Sequence, residues 1–198
     1  MEKRRKVANP LALAVLAELL AEPIHPYEMG RRLQAHGKDR SFKYNRGSLY
    51  MVVEQLRKAG FITEQQTVRD TQRPERTIYA LTDDGRQEFY DWMRELVTTP
   101  RREYPQFGVA LSLLSLLSPA EAAELLERRL VALSAEVGEI NEAVRSALTS
   151  GVLWVFLIEE EYRLAALEAE LGFVTQLIES LEQPDYVRAW QKIFGSRT

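Results

Sequence analysis

The most constraining feature of this 198-residue chain is a run of apolar residues that alternate three and four positions apart. The run consists of Ala123, Leu126, Leu130, Leu133, Val137, Ile140 and Val144. This spacing, sustained over three heptads, places the side chains along one narrow stripe of a long α-helix, as in a coiled coil. The stretch 118–121 predicts the start of the helix, with serine as the cap, proline in the first turn and glutamate three positions after the serine. Ser150 and Gly151 predict its end.

A second apolar repeat, from Leu164 to Leu181, predicts another long helix over residues 152–182. Because the connection is short, the two helices should run antiparallel, each about 45 Å long. Two such helices cannot enclose a core alone, so apolar surface should remain for a partner, and a second copy of the chain is the simplest choice. The residues expected to form this homodimer contact are Leu126, Leu130, Leu133, Val137, Ile140 and Val144.

The N-terminal half predicts the element order helix, helix, helix, β-hairpin, helix. The expected bounds are 10–21, 26–36 and about 45–60 for the first three helices, 61–68 and 76–81 for the strands, and a fourth helix capped by Thr82. The first of these helices is apolar almost all round, which indicates burial. A polar loop over residues 69–75 joins the strands. This order is that of a winged helix-turn-helix.

Pro100 and a change in charge balance indicate a domain boundary, and a further short apolar helix is expected over residues 104–117. Residues 1–86 carry 16 Lys and Arg against 11 Asp and Glu, a net of +5, and residues 87–198 carry 10 against 18, a net of −8, which together give the formal charge of −3. The basic half suits a polyanion. The predicted fold class is mainly α, with a winged helix-turn-helix and its small β-hairpin at 1–98, and a helical, coiled-coil-like dimerisation domain at 99–198.

Several function classes lack the residues they need. The chain has no cysteine, and His25 and His36 are its only histidines. It contains no spacing typical of a metal site, no glycine-rich phosphate loop and no recognisable catalytic set, so we expect no metal, no cofactor and no enzymatic activity. The apolar run at 152–158 is far shorter than the roughly 20 residues of a membrane span. The expected protein is soluble and cytoplasmic, without a signal peptide.

Three local motifs in the N-terminal half occur together. They are His25-Pro-Tyr-Glu28, Gly47-Ser-Leu-Tyr50, and Arg76-Thr-Ile-Tyr-Ala-Leu-Thr82 followed by Gly85. With this combination the chain resembles the PadR family of bacterial transcriptional regulators, although Met51 stands where the family often has proline. The resemblance implies a repressor that binds a palindromic operator in double-stranded DNA. It also implies dimerisation through a two-helix C-terminal arm, as in the longer subfamily, and release by a small molecule or another signal.

A winged helix-turn-helix reads base edges with its third helix, and basic residues around that helix hold phosphates. The residues expected to contact DNA are Lys43, Arg46, Ser48, Tyr50, Arg69, Arg73 and Arg76. The basic stretch 3–6 would add sequence-independent attraction, or it is a solvated chain end. Tyr50 and Arg76 also have structural alternatives, in surface packing and in an ion pair. We expect Tyr27 and Tyr79 to pack in the core.

The resemblance places an effector cavity where the fourth helix meets the C-terminal arm. The large apolar groups expected to line it are Trp92, Phe107 and Trp154, although buried aromatic residues are more often packing residues. The expected ligand is a small aromatic effector. The alternative function is a helical protein-interaction adapter that uses the coiled coil without specific DNA binding.

Overall fold

The computed structural model describes residues 5–35, 45–70 and 73–195, without the side chains of 66–70 and 73–76. The chain divides into two compact units, Met1–Arg102 (the N-terminal unit) and Glu103–Thr198 (the C-terminal unit). The elements of the N-terminal unit are α1 Pro10–Ala21, α2 Pro26–Ala35, α3 Arg46–Lys58, β1 Ile62–Asp70, β2 Arg73–Leu81 and α4 Asp83–Thr98. The predicted order of a winged helix-turn-helix is confirmed.

The core of the N-terminal unit forms around α1. Asn9 caps this helix, because its side chain accepts a hydrogen bond of 3.0 Å from the Leu11 amide, and Pro10 occupies the first turn. Val15 and Leu16 are completely buried. They belong to one apolar cluster that extends from Val7 to Trp92 and includes the inner faces of α2 and α3. The expectation that this helix is buried is confirmed.

The end of α3 and the start of α4 are held together by backbone contacts. Gly60, with φ of 81°, ends α3 in a Schellman motif, in which the Phe61 amide donates to the Leu56 carbonyl at 3.0 Å. The Thr82 hydroxyl donates to the Phe61 carbonyl at 2.9 Å and caps α4 by accepting from the Gly85 amide at 3.0 Å. A Cβ atom at Gly85 would lie 2.0 Å from the Phe61 carbonyl oxygen. Only glycine fits this close approach, which fixes the hairpin base against α3.

The β-hairpin is longer than predicted. β1 and β2 pair antiparallel from Ile62↔Leu81 to Asp70↔Arg73, so the expected polar loop at 69–75 is wrong in its extent. Backbone pairing in a two-stranded ribbon does not require an apolar face, and a polar segment can therefore continue the ladder. At its base the hairpin gains an isolated bridge, in which the Ile24 amide donates to the Tyr79 carbonyl at 3.0 Å.

The C-terminal unit is helical. Its elements are α5 Gln106–Ser112, a 3₁₀ turn Leu114–Leu116, α6 Pro119–Thr149, a 3₁₀ turn Trp154–Phe156, α7 Ile158–Leu181 and α8 Pro184–Phe194. Ser118 caps α6 as predicted, since its hydroxyl accepts from the Glu121 amide at 3.3 Å. The α-helices within the expected ranges 104–117 and 152–182 are shorter, because Leu114–Leu116 and Trp154–Phe156 form separate 3₁₀ turns. The sequence analysis missed α8, which begins at a first-turn proline.

The packing of α6 against α7 uses part of the apolar repeat that was expected to form the dimer contact. The two helices are antiparallel, with Arg129 bonded to Glu170 and Arg163 to Glu136 at 3.0 Å. In a single chain, Leu126, Leu133 and Ile140 are already buried in this packing, whereas Leu130, Val137 and Val144 are half-buried. The 3-4 repeat is therefore used within the chain. Little of the surface of these three buried residues is left for a second chain, and the expected dimer contact stays a prediction.

Along the described ranges, no helix combines the length and the apolar character needed to cross a bilayer.

Candidate nucleic-acid interface

The helix α3 has one buried and one exposed face. Leu49, Val52, Val53 and Leu56 point into the core. Tyr50 and Met51 lie on the other face with exposed fractions of 38% and 53%. The outward face is available to a partner outside the domain.

A reciprocal capping box fixes the start of α3. The Ser48 amide donates to Asn45 Oδ1 and the Asn45 amide donates to Ser48 Oγ, both at 2.9 Å. The Ser48 hydroxyl also donates to the Asn45 carbonyl at 2.9 Å. Ser48 therefore holds the helix terminus in place. The free amides and the positive end of the helix dipole at this terminus favour an anion such as a phosphate.

Arg46, the first residue of α3, lies between two tyrosine rings. Its guanidinium carbon is 5.5 Å from the ring centre of Tyr27 and 5.9 Å from that of Tyr50. Both distances are within the range of a cation–π contact. Tyr27, on the first turn of α2, is 55% exposed, so the expectation that it packs in the core is wrong. We call these three residues the arginine clamp.

Neighbouring groups order the clamp further. The Tyr27 amide donates to His25 Nδ1 at 3.0 Å, and the His25 ring meets the Tyr50 ring edge-on, with centres 6.5 Å apart. The first turn of α2 and the face of α3 are thus coupled through aromatic contacts. The sequence did not reveal this arrangement, because it depends on how α2 crosses α3.

A carboxylate on the exposed side of α3 is neutralised locally. Arg57 donates two hydrogen bonds of 2.8 Å to Glu54, and Lys58 lies 3.5 Å from the same carboxylate. The Arg57 hydrogen bonds lower the pKa of Glu54 to about 2. Glu54 therefore remains ionised at neutral pH, and its charge is matched by these two cations. The face can approach a polyanion without an unpaired negative charge at this position.

The basic residues predicted for the wing are distributed along the hairpin backbone. Arg69 lies in β1 next to Asp70, Arg73 pairs with Asp70, and Arg76 pairs with Val68 in the ladder. The described residues do not include Lys43 or the side chains of these arginines. Tyr79 is half-buried against the core, as expected, and burial raises the pKa of its hydroxyl.

The chain is similar to known proteins over the range that contains this site. The profile described as "Transcriptional regulator PadR-like family" matches residues 13–91, a range that includes the clamp, the capping box and both strands. This match covers less than half of the chain, and over residues 13–91 the chain is similar to the PadR-like family. The "Negative transcriptional regulator PadR" of Bacillus subtilis (strain 168) is 28% identical over 102 residues, which are 52% of this chain and 56% of that relative.

Solved structures of the Bacillus subtilis PadR protein have a fold similar to that of this chain, over a longer range than the sequence match. The Bacillus subtilis PadR complex with operator DNA has a TM-score of 0.64 and 21% identity, covering 84% of this chain and 99% of that one. The complex of the same protein with p-coumaric acid has a TM-score of 0.67 and 18% identity, covering 89% and 99%. At these identities the likeness shows a shared fold.

The N-terminal segment of the chain does not present Arg5 to a partner. The Arg5 guanidinium is buried, is bonded to Glu88 and Glu95 of α4, and lies 5.0 Å from the ring centre of Trp92. Its hydrogen bond lowers the pKa of Glu95. Lys6 Nζ contacts the Ala59 carbonyl at 3.4 Å. For Arg5 the expectation of a DNA-binding tail is wrong, and Lys3 and Arg4 lie outside the described residues.

The three residues expected to line an effector cavity have different surroundings. Trp92 is buried in the N-terminal unit. Phe107 is half-buried, with the Arg129 guanidinium 3.6 Å from its ring centre. Trp154 is 56% exposed after the end of α6 and donates to Glu161 at 2.5 Å. About 30 Å of α6 separates Arg129 from that end, so Phe107 and Trp154 do not line one small cavity.

Proposed function

We propose that the protein regulates transcription by binding operator DNA as a homodimer, with α3 in the major groove. The observation that carries the proposal is the exposed Arg46, held between Tyr27 and Tyr50 at the capped start of α3. An arginine presents a rigid fork of donors that suits either a phosphate or the O6 and N7 atoms of guanine. The two rings restrict this side chain before binding, which reduces the entropy lost when it contacts DNA.

The other predicted contacts have distinct roles. Tyr50 reaches a base edge or a phosphate from the outward face of α3, and Ser48 acts by holding the helix terminus. The wing arginines Arg69, Arg73 and Arg76, together with Lys43, supply phosphate contacts that set the register on the duplex. These contacts make binding depend strongly on salt concentration.

The direction of regulation is proposed from the relatives. The similar Bacillus subtilis protein is described as a negative transcriptional regulator and has been solved with operator DNA and with p-coumaric acid. Repression at an operator, relieved by a small aromatic effector, is the corresponding function for this chain. Such an effector acts only if its affinities for the DNA-competent and the incompetent states differ.

The dimer contact requires apolar surface that a single chain leaves uncovered. Such surface is concentrated where α6 turns into α7, in Leu148 and residues 152–158, which we call the hairpin tip. Phe156 is 68% exposed and Leu153 66%. An apolar patch of this kind marks an interaction site. A second copy of the chain would bury the tip and bring two α3 helices to a symmetric duplex.

Footprinting on the DNA upstream of its own gene tests this function. We expect protection of two inverted half-sites, centred about 10 base pairs or a multiple apart, and loss of protection as salt rises. Light scattering on the same preparation should give a dimer. Absence of protection on every upstream fragment at low salt, with a dimer present, would favour the adapter alternative.

A further inference from the structure

A cavity of about 480 Å³ lies between the beginning of α6 and the helix α8. Ala123 and Leu181, both buried, contribute to its floor, and Val187 and Trp190 line it from α8. This volume is in the range of sites for small organic ligands. None of the residues expected from the sequence to bind an effector lines it.

The aromatic wall of this cavity is fixed. Trp190 Nε1 donates to the Ser115 carbonyl at 2.9 Å, so the polar atom of the indole is satisfied. The Trp190 ring also packs against Phe194, with ring centres 5.7 Å apart. A ring held at both its edge and its side presents an ordered surface to a ligand.

The charge on the lining has one sign. Glu124, Glu127 and Glu182 line the cavity, and its lining residues, all of them in the described part of the chain, include no Lys or Arg. Arg128 is bonded to Glu124 and offsets its charge, so the negative potential of the lining comes mainly from Glu127 and Glu182. Carboxylates around a concave apolar surface that carries no basic residue create a negative potential inside the cavity.

We propose that this cavity binds a small organic cation that carries an ammonium group on an apolar or aromatic body. The ammonium would lie near Glu127 and Glu182 and against the indole of Trp190, since tryptophan has the strongest cation–π attraction of the aromatic side chains. The body of the ligand would cover Ala123, Val187 and Leu181. An aromatic carboxylate of the same size is repelled by the lining. The site stands independently of the DNA-binding function.

Isothermal titration of the full chain without DNA tests the site, with benzyltrimethylammonium and 3-phenylpropanoate as cationic and anionic probes. We expect the cation to bind at least about tenfold more tightly than the anion, and added salt to weaken it. Glu127→Gln and Trp190→Phe should each weaken the cation by about five- to tenfold. Glu142→Gln is the control, because this α6 carboxylate pairs with Arg145 and does not line the cavity.

Three results would overturn the proposal: no binding of the cation, equal affinity for the two probes, or cation affinity unchanged by both Glu127→Gln and Trp190→Phe. Circular dichroism of each variant establishes that it is folded, and Glu127→Gln tests the site even where Trp190→Phe does not fold. Operator affinity is measured separately on the same proteins. A failure of the cation site is thus distinguished from a failure of DNA binding.

Discussion

The two units of the molecule differ in how completely they bury their apolar residues. The N-terminal unit collects them in one cluster around α1, where Val15 and Leu16 are fully buried. The C-terminal unit buries a shorter cluster, at one end of the α6–α7 pair, and leaves the hairpin tip in solvent. Four helices and a hairpin close around a core in the first unit, whereas the long α6–α7 pair of the second unit extends beyond its buried cluster. The difference shows that exposed apolar surface is concentrated in the C-terminal unit, which is where the proposed dimer contact lies.

The sharpest test of this comparison contrasts a buried and an exposed apolar residue of the C-terminal unit. Ile140 is 2% exposed in the single chain, so Ile140→Ala should lower the free energy of unfolding by about 4 kcal/mol. Phe156→Ser, at the hairpin tip, should mainly weaken self-association. Urea unfolding at fixed protein concentration and light scattering measure the two effects. If Ile140→Ala instead gave a folded, stable monomer, Ile140 would lie in the dimer contact and not in the core of a single chain.

The next effect concerns the N-terminal unit and its buried arginine. Arg5→Ala removes the guanidinium that pairs with the buried Glu88, which should cost about 3 kcal/mol of stability. The double variant Arg5→Ala with Glu88→Gln should recover part of the loss, because it leaves no buried charge. Thermal unfolding measures both. Unchanged stability together with weaker DNA binding would show instead that Arg5 belongs to a DNA-binding tail.

Replacing a glycine by alanine should change the free energy of unfolding in opposite directions in the two units. At Gly138 in α6 a Cβ atom meets nothing within 4 Å, so Gly138→Ala should stabilise the protein by about 1 kcal/mol through helix propensity. Gly85→Ala should destabilise it, because the new Cβ overlaps the Phe61 carbonyl oxygen. Chemical denaturation measures both changes. A destabilising Gly138→Ala would contradict the open surface seen in the single chain.

The smallest expected effect is a dependence of stability on pH. The hydrogen bond from Arg5 lowers the pKa of Glu95 below its ordinary value of 4.5. A carboxyl with a lowered folded-state pKa stabilises the fold above the unfolded-state value, and this contribution is lost as pH falls through the folded-state value. Glu95→Gln should therefore flatten the acid side of the melting temperature profile. The same profile for wild type and Glu95→Gln would contradict a role for this pair in stability.

Local signals in the sequence predicted a large part of the fold. The caps at Thr82 and Ser118 join residues within a few positions of each other, so they can be recognised from the sequence alone. The order of elements followed from these caps and from the apolar spacing. The length of the β-hairpin could not be predicted, because its outer part consists of polar residues and shows no alternation of apolar and polar positions.

The features missed by the sequence analysis depend on contacts between elements. A 3-4 repeat has the same spacing whether it faces a helix of its own chain or of another, so the location of Ile140 could not be derived. Tyr27 became part of the candidate site only through its position next to Arg46. The Arg5 ion pairs join residues more than eighty positions apart. Of these, only the charge of Arg5 was visible in advance, and it indicated a different role.

The most direct test of the central claim compares two arginine variants in binding to the DNA upstream of the gene. Arg46 lies in the clamp, whereas Arg94 is an exposed arginine on α4 that pairs with Asp91 at 3.1 Å. Both substitutions by alanine remove one positive charge. By fluorescence anisotropy, Arg46→Ala should weaken binding at least about tenfold, and Arg94→Ala should leave it nearly unchanged. Equal affinities of the two variants and the wild type would contradict the account of α3 as the DNA-reading element.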